Sequence, residues 1–78
     1  MINFIDFHTL QLETDAGSPM TIKSGEDITL YSNGNNILAD GILLEIDIDE
    51  DGYFVKMKDY ELDFESKHYL SEIVRIEV

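Results

Sequence analysis

Cysteine and tryptophan are absent from this sequence, proline occurs once, and lysine and arginine together number only five. Without cysteine, neither a disulfide framework nor a thiolate metal site can support a small core, and the cytoplasm is the natural expectation. Long apolar runs are also missing, so neither a signal peptide nor a membrane span is expected. No stretch of helical length keeps a 3.6-residue period without a Gly, Pro or Asn interruption, which argues against the helical fold classes.

What the chain does have is apolar content and acid. At 44% hydrophobic it is too apolar to stay disordered. Its 78 residues leave room for one core, so residues 1–78 read as a single domain, small and barrel-like rather than a layered enzyme with a buried cleft. Seventeen acidic side chains give a formal net charge of −12. That charge repels DNA and RNA and attracts basic protein surfaces, with an attraction that salt weakens.

Period-2 alternation recurs along the chain, as in β-strands. Residues 2–14 are ambiguous at their start, where Ile2-Asn3-Phe4-Ile5-Asp6-Phe7 could open a helix, but Leu10 to Thr14 alternates as a strand does. Asp15 to Pro19 has turn composition, and Met20-Thr21-Ile22-Lys23 returns as the partner of a hairpin. Ile28 to Ser32 precedes Asn33-Gly34, a pair suited to a tight hairpin, and then the long strand from Asn36 to Ile48. Gly41 marks a bend in that strand. Beyond it, Leu44, Ile46 and Ile48 are expected on the core face, with Glu45, Asp47 and Asp49 opposite. After Glu50-Asp51-Gly52, the segment Tyr53 to Lys58 pairs back, with Lys56 and Lys58 across from the acids. Ile73 to Val78 forms the last strand.

From Ile28 onward the pattern resembles the small five-stranded Sm-like barrel, an SH3-like architecture, and is similar to the C-terminal part of YolD-like bacterial proteins. The residues concerned are Ile28-Thr29-Leu30-Tyr31, Asn33-Gly34, the bent strand from Asp40 to Asp47, and the closing Leu70 to Ile76. The resemblance implies an all-β fold with a strongly bent antiparallel sheet or barrel of five to seven strands, and it leaves residues 1–27 uncovered. Sm-like relatives often form RNA-binding rings. Their RNA-binding signature, an Asn-bearing loop with a later Arg-Gly pair, is not reproduced here.

Two acidic constellations stand out. Asp47-Ile48-Asp49-Glu50-Asp51-Gly52 opens like a calcium loop, but Lys58 occupies the position of its closing glutamate, so an acidic hairpin tip with Gly52 at positive φ is the expectation and no metal is. Asp59, Glu61, Asp63 and Glu65 recur at two-residue spacing, and on a strand they would make a row with carboxylates about 6.5–7 Å apart, able to imitate a phosphate backbone. With Asp40, Glu45, Asp47, Asp49, Glu50 and Asp51, they form the candidate partner-binding surface. His8 and His68 lack the neighbours that catalysis or zinc binding requires.

Small size, acidity and lack of cysteine also resemble phage-encoded anti-defence factors, including anti-CRISPR and anti-restriction proteins. The expectation is a non-enzymatic inhibitor, without cofactor, whose acidic surface competes for the basic nucleic-acid-binding site of a partner in the cytoplasm, of the host cell if phage-encoded. The alternative is an oligomeric Sm-like structural module that assembles through exposed barrel edges.

Overall fold

The structure, a computed structural model, describes residues 2–12, 19–60 and 64–78. Eight strands are present among them: β1 (Ile2–Asp6), β2 (Thr9–Leu12), β3 (Met20–Lys23), β4 (Asp27–Tyr31), β5 (Ile37–Asp49), β6 (Gly52–Asp59), β7 (Glu65–Tyr69) and β8 (Arg75–Glu77). They form two antiparallel sheets, ordered β1-β2-β3 and β7-β6-β5-β4-β8. The all-β expectation holds, but the single bent sheet or barrel of five to seven strands is replaced by a three-stranded and a five-stranded sheet. Among the described residues neither sheet closes on itself. The larger one ends at β7 and at β8, and β8, three residues long, offers little ladder with which to join its edges.

Residues 2–12 resolve as strand, turn and strand. The chain reverses at Phe7-His8, where Asp6 Oδ1 accepts the His8 backbone N–H at 2.8 Å, and Ile2 lies opposite Leu12. The β2–β3 hairpin has Leu10 opposite Ile22 and Leu12 opposite Met20. The tip expected from Asp15 to Ser18 lies outside the described residues. At Asn33-Gly34 a 3₁₀ turn over Asn33–Asn35 replaces a two-residue hairpin. Both Gly34 (φ 75°) and Asn35 (φ 60°) take the left-handed conformation, and the turn closes through Ser32 N–H to the Asn36 carbonyl at 2.8 Å.

One core serves both sheets: Leu10, Leu12 and Ile22 of the small sheet belong to the same buried cluster as Ile28, Leu30, Leu43, Ile46, Val55 and Met57 of the large one. The Cα radius of gyration, 11.7 Å, is close to the roughly 11.5 Å expected of a compact chain of this length.

Strand β5, thirteen residues long, organises the molecule. It pairs with β4 from Ile37 to Ile42 and with β6 from Gly41 to Asp49. A bulge between Leu43 and Glu45 interrupts the second pairing and leaves Leu44 as the extra residue. The bulge also inverts the alternation. Before it Ala39, Gly41 and Leu43 are buried, and after it Ile46 is. Of the core face expected at Leu44, Ile46 and Ile48, only Ile46 is fully buried; Leu44 is half-buried and Ile48 is 50% exposed. Past Ile42, the β4 side of β5 is taken over by loops from elsewhere. Leu43 N–H reaches the Glu26 carbonyl at 2.9 Å, its carbonyl accepts Gly25 N–H at 2.7 Å, and Ile46 N–H reaches the Phe7 carbonyl at 2.8 Å.

Candidate binding surface

Because the bulge resets the alternation, Glu45, Asp47 and Asp49 follow one another on the outer face of β5, as expected. The bases facing them come from the next two strands. Lys56, opposite Glu45 on β6, binds it at 3.0 Å, and this partner raises the pKa of the Lys56 ammonium. Lys67 of β7 reaches over to Asp49 at 2.9 Å, and the Tyr69 hydroxyl donates to the same oxygen, Oδ2, at 2.7 Å. The other oxygen, Oδ1, accepts Asp51 N–H at 2.8 Å. Lys67 also stands 4.5 Å from the centre of the Phe54 ring, which caps its ammonium with a π face. The Lys67 and Tyr69 hydrogen bonds hold the Asp49 carboxyl down to about 2, and Asp49 in turn raises the pKa of Lys67.

The β5–β6 tip is a two-residue turn in which Asp49 pairs with Gly52. Positive φ falls on Gly52 (120°), as expected, whereas Glu50 and Asp51 keep negative φ, which excludes a type I′ turn. Its carboxylates do not converge on a common point. Asp47 Oδ1 folds back onto Ile48 N–H at 2.8 Å, Asp49 is engaged as above, and no group of three or more metal-ligating side chains occurs among the described residues.

The row expected from Asp59 to Glu65 is not one strand. Asp59 ends β6, Tyr60 turns, and Glu65 begins β7 in the opposite direction. Asp59 N–H meets the Phe64 carbonyl across that reversal at 3.5 Å. Asp59 is only 9% exposed, and Glu65 lies opposite Lys58. Glu61 and Asp63 lie outside the described residues. The two-residue acidic spacing that a phosphate-like row requires is present instead at Glu45, Asp47 and Asp49, where two of the three carboxylates are already paired with lysine.

A second acidic face lies on the outer side of β4, β5 and β8. Thr29 stands opposite both Asp40 and Glu77, and its hydroxyl donates to Asp40 at 3.0 Å. Glu77 accepts the Tyr31 hydroxyl at 2.8 Å and binds Arg75 at 3.3 Å. Asp27 accepts a hydrogen bond from the Tyr60 hydroxyl, which raises the tyrosine's pKa. Asp40 was expected in the surface, but Asp27 and Glu77 were not, because only the pairing of β4 with the far end of the chain brings them together. Comparison with protein-family models, with curated proteins and with solved structures finds no match to this chain.

Three of the five basic side chains are thus spent on local acids, Lys56 on Glu45, Lys67 on Asp49 and Arg75 on Glu77. Glu50, Asp51, Asp47 and Asp40 enter no ion pair among the described residues. Each histidine ring sits near a serine: His8 Nδ1 is 3.2 Å from Ser24 Oγ, and His68 Nε2 is 2.9 Å from Ser66 Oγ. Burial lowers the His68 pKa, which favours its neutral form.

The Asp49 contacts predict a pH-dependent stability difference. Asp49→Asn is expected to melt below wild type at neutral pH. The folded carboxyl titrates at about 2 against an ordinary 3.8, so the difference is full above 3.8 and disappears as pH falls through 2. Exposure of the site keeps the effect small. Thermal melts across that range check it, and a difference that persists unchanged in acid would show that the ion pair is not its source.

Proposed function

We propose that this chain is a non-enzymatic interaction protein whose acidic surface occupies a basic, nucleic-acid-binding site on another protein, as inhibitors of the phage anti-CRISPR and anti-restriction kind do. The carrying observation is charge balance: were all five bases paired, the remaining carboxylates would still amount to −12. Such self-repulsion costs folding free energy. A basic partner relieves it. The uncompensated groups singled out above, Asp40 and Asp47 with Glu50 and Asp51, lie on strand faces and a two-residue hairpin tip that Asp51 N–H to Asp49 closes, which favours pre-organised binding. The setting is the cytoplasm, of the host cell if the chain is phage-encoded. No cofactor or metal enters this reading, and direct nucleic-acid binding is opposed by charge.

The five-stranded sheet is consistent with an Sm-like or SH3-like relationship. Its long central strand carries a glycine and a bulge, and its last strand returns beside the first after a 3₁₀ turn at Leu70–Glu72. The open edges at β7 and β8 favour a second reading, an oligomeric Sm-like module built by edge pairing.

Capture from nuclease-treated lysate, comparing wild type with the combined Asp40→Lys, Glu50→Lys and Asp51→Lys variant, tests the first reading. A nucleic-acid-handling protein should be retained by wild type at low salt, released by high salt or added nucleic acid, and lost by the variant. Equal capture by the variant, or a partner that nucleic acid does not displace, overturns it. Recovery of the bait alone, with a solution mass of several chains, supports the module instead.

A further inference from the structure

We propose that the groove along the open edge of β1 is a docking site for an extended, basic segment of a partner protein. The groove, about 390 Å³, is bordered by residues 2–4 of β1, by residues 51–53 where the hairpin tip enters β6, and by Leu70 and Ser71 of the second 3₁₀ turn. Successive side chains of a strand point to opposite faces. A groove that touches three consecutive residues therefore runs along the strand's backbone edge. β1 is the outer strand of its sheet, so that edge can accept an added strand through main-chain hydrogen bonds.

The chemistry of the walls selects the occupant. Phe4 and Tyr53 stack at 4.5 Å on one side, and Phe7 packs edge-on to Phe4 at 5.5 Å. Phe7 remains 52% exposed and Ile48, the cross-strand partner of Tyr53, 50% exposed, so the aromatic surface continues out of the groove. Asp51 stands at the groove, with Glu50 beside it on the turn. Apolar rings next to unpaired carboxylates suit a lysine or arginine, whose stem packs on the rings while its cation meets the acid. A second copy of this chain is a poor occupant. Each copy carries −12, and a partnering β1 would bring Asp6 and no base. The proposal shares with the preceding reading a basic protein as the partner, and adds where and in what conformation it is held.

The test is a backbone-amide NMR titration of the full chain with a blocked heptapeptide alternating valine and lysine, and with its valine–glutamate counterpart. The lysine peptide should shift the amides of residues 2–4 and 52–53 saturably, and the glutamate peptide should not. Asp51→Lys should weaken binding about tenfold and Ser71→Trp, which fills the groove, should abolish it. Asp40→Lys makes the same change in net charge elsewhere and should leave affinity within about twofold. Absence of saturable shifts, or shifts spread over the Asp40 and Glu77 face and equally weakened by Asp40→Lys, overturns the docking site. Capture of a nucleic-acid-handling protein alongside a failed titration would overturn the groove alone. Peptide docking without such capture would overturn the inhibitor reading alone.

Discussion

Gly41→Ala is expected to cost about 3 kcal/mol, near the upper end of what overpacking usually costs, and to lower Tm by about 12–24 °C in a domain of this size. A Cβ at Gly41 would lie 2.0 Å from the Lys58 carbonyl oxygen and 2.9 Å from its carbonyl carbon, both of them backbone. No rotamer change relieves that contact, so β5 and β6 must separate where Gly41 faces Asp59. Gly25 provides the contrast. A Cβ there meets nothing within 4 Å, but φ is +95°, so Gly25→Ala carries only a torsional penalty of about 1–2 kcal/mol. Equal losses at the two positions, measured by thermal or urea unfolding, would show that close strand approach is not what Gly41 serves.

The same position shows how far local sequence reasoning reaches. The glycine inside this alternating strand reads as a bend, whereas the structure shows at Gly41 a close approach to the Lys58 backbone, the other reason a strand dispenses with a side chain. The hairpin after it was more legible: the Glu50-Asp51-Gly52 turn and the Glu45–Lys56 pair follow from turn chemistry and two-residue alternation. Ile42-Leu43-Leu44 is different. Three successive apolar residues carry no alternation, so nothing local marks Leu44 as a bulge. The contacts that surround the bulge, Leu43 with Gly25 and Glu26 and Ile46 with Phe7, come from distant parts of the chain. Ile48 keeps the face of Ile46 but lies beyond the core, beside the hairpin tip, and so stays half exposed.

The Asp59 to Glu65 segment misleads for a related reason. Asp59-Tyr60-Glu61-Leu62-Asp63-Phe64-Glu65 alternates well and contains no glycine, proline or asparagine, yet the chain reverses within it. The requirement for reversal lies outside the segment, in the pairing of Val55 with His68 and Phe54 with Tyr69. Candidate acids fared according to the same rule. Those on the β5–β6 hairpin were legible from their neighbours, whereas Asp27 and Glu77 share a face with Asp40 only because β4 sits between β5 and β8. The lysines that quench part of the acidic row were half visible: Lys56 is Glu45's hairpin neighbour, but Lys67 reaches Asp49 from β7, whose course only its pairing with β6 sets.

Leu10→Ala is expected to destabilise the whole chain in a single transition. The resemblance noted from Ile28 onward left the first 27 residues unaccounted for, and strands β1 to β3 could in principle be an independent appendage. Leu10 argues against that. It is fully buried together with Ile22 in the cluster that holds Leu43, Ile46 and Met57. Truncating a leucine in such a place removes its transfer free energy and leaves a cavity, at about 3 kcal/mol, which lowers Tm by about 12–24 °C. If the core is shared, far-UV circular dichroism, which is dominated by the strands of the larger sheet, and the backbone-amide NMR signals of β1 to β3 should report the same midpoint. A variant in which the β1 to β3 amides melt early while the strand signal keeps its wild-type midpoint would divide the protein into two units. The groove between β1 and the hairpin tip would then have one movable wall, and its affinity for an extended segment would depend on how well the small sheet is held.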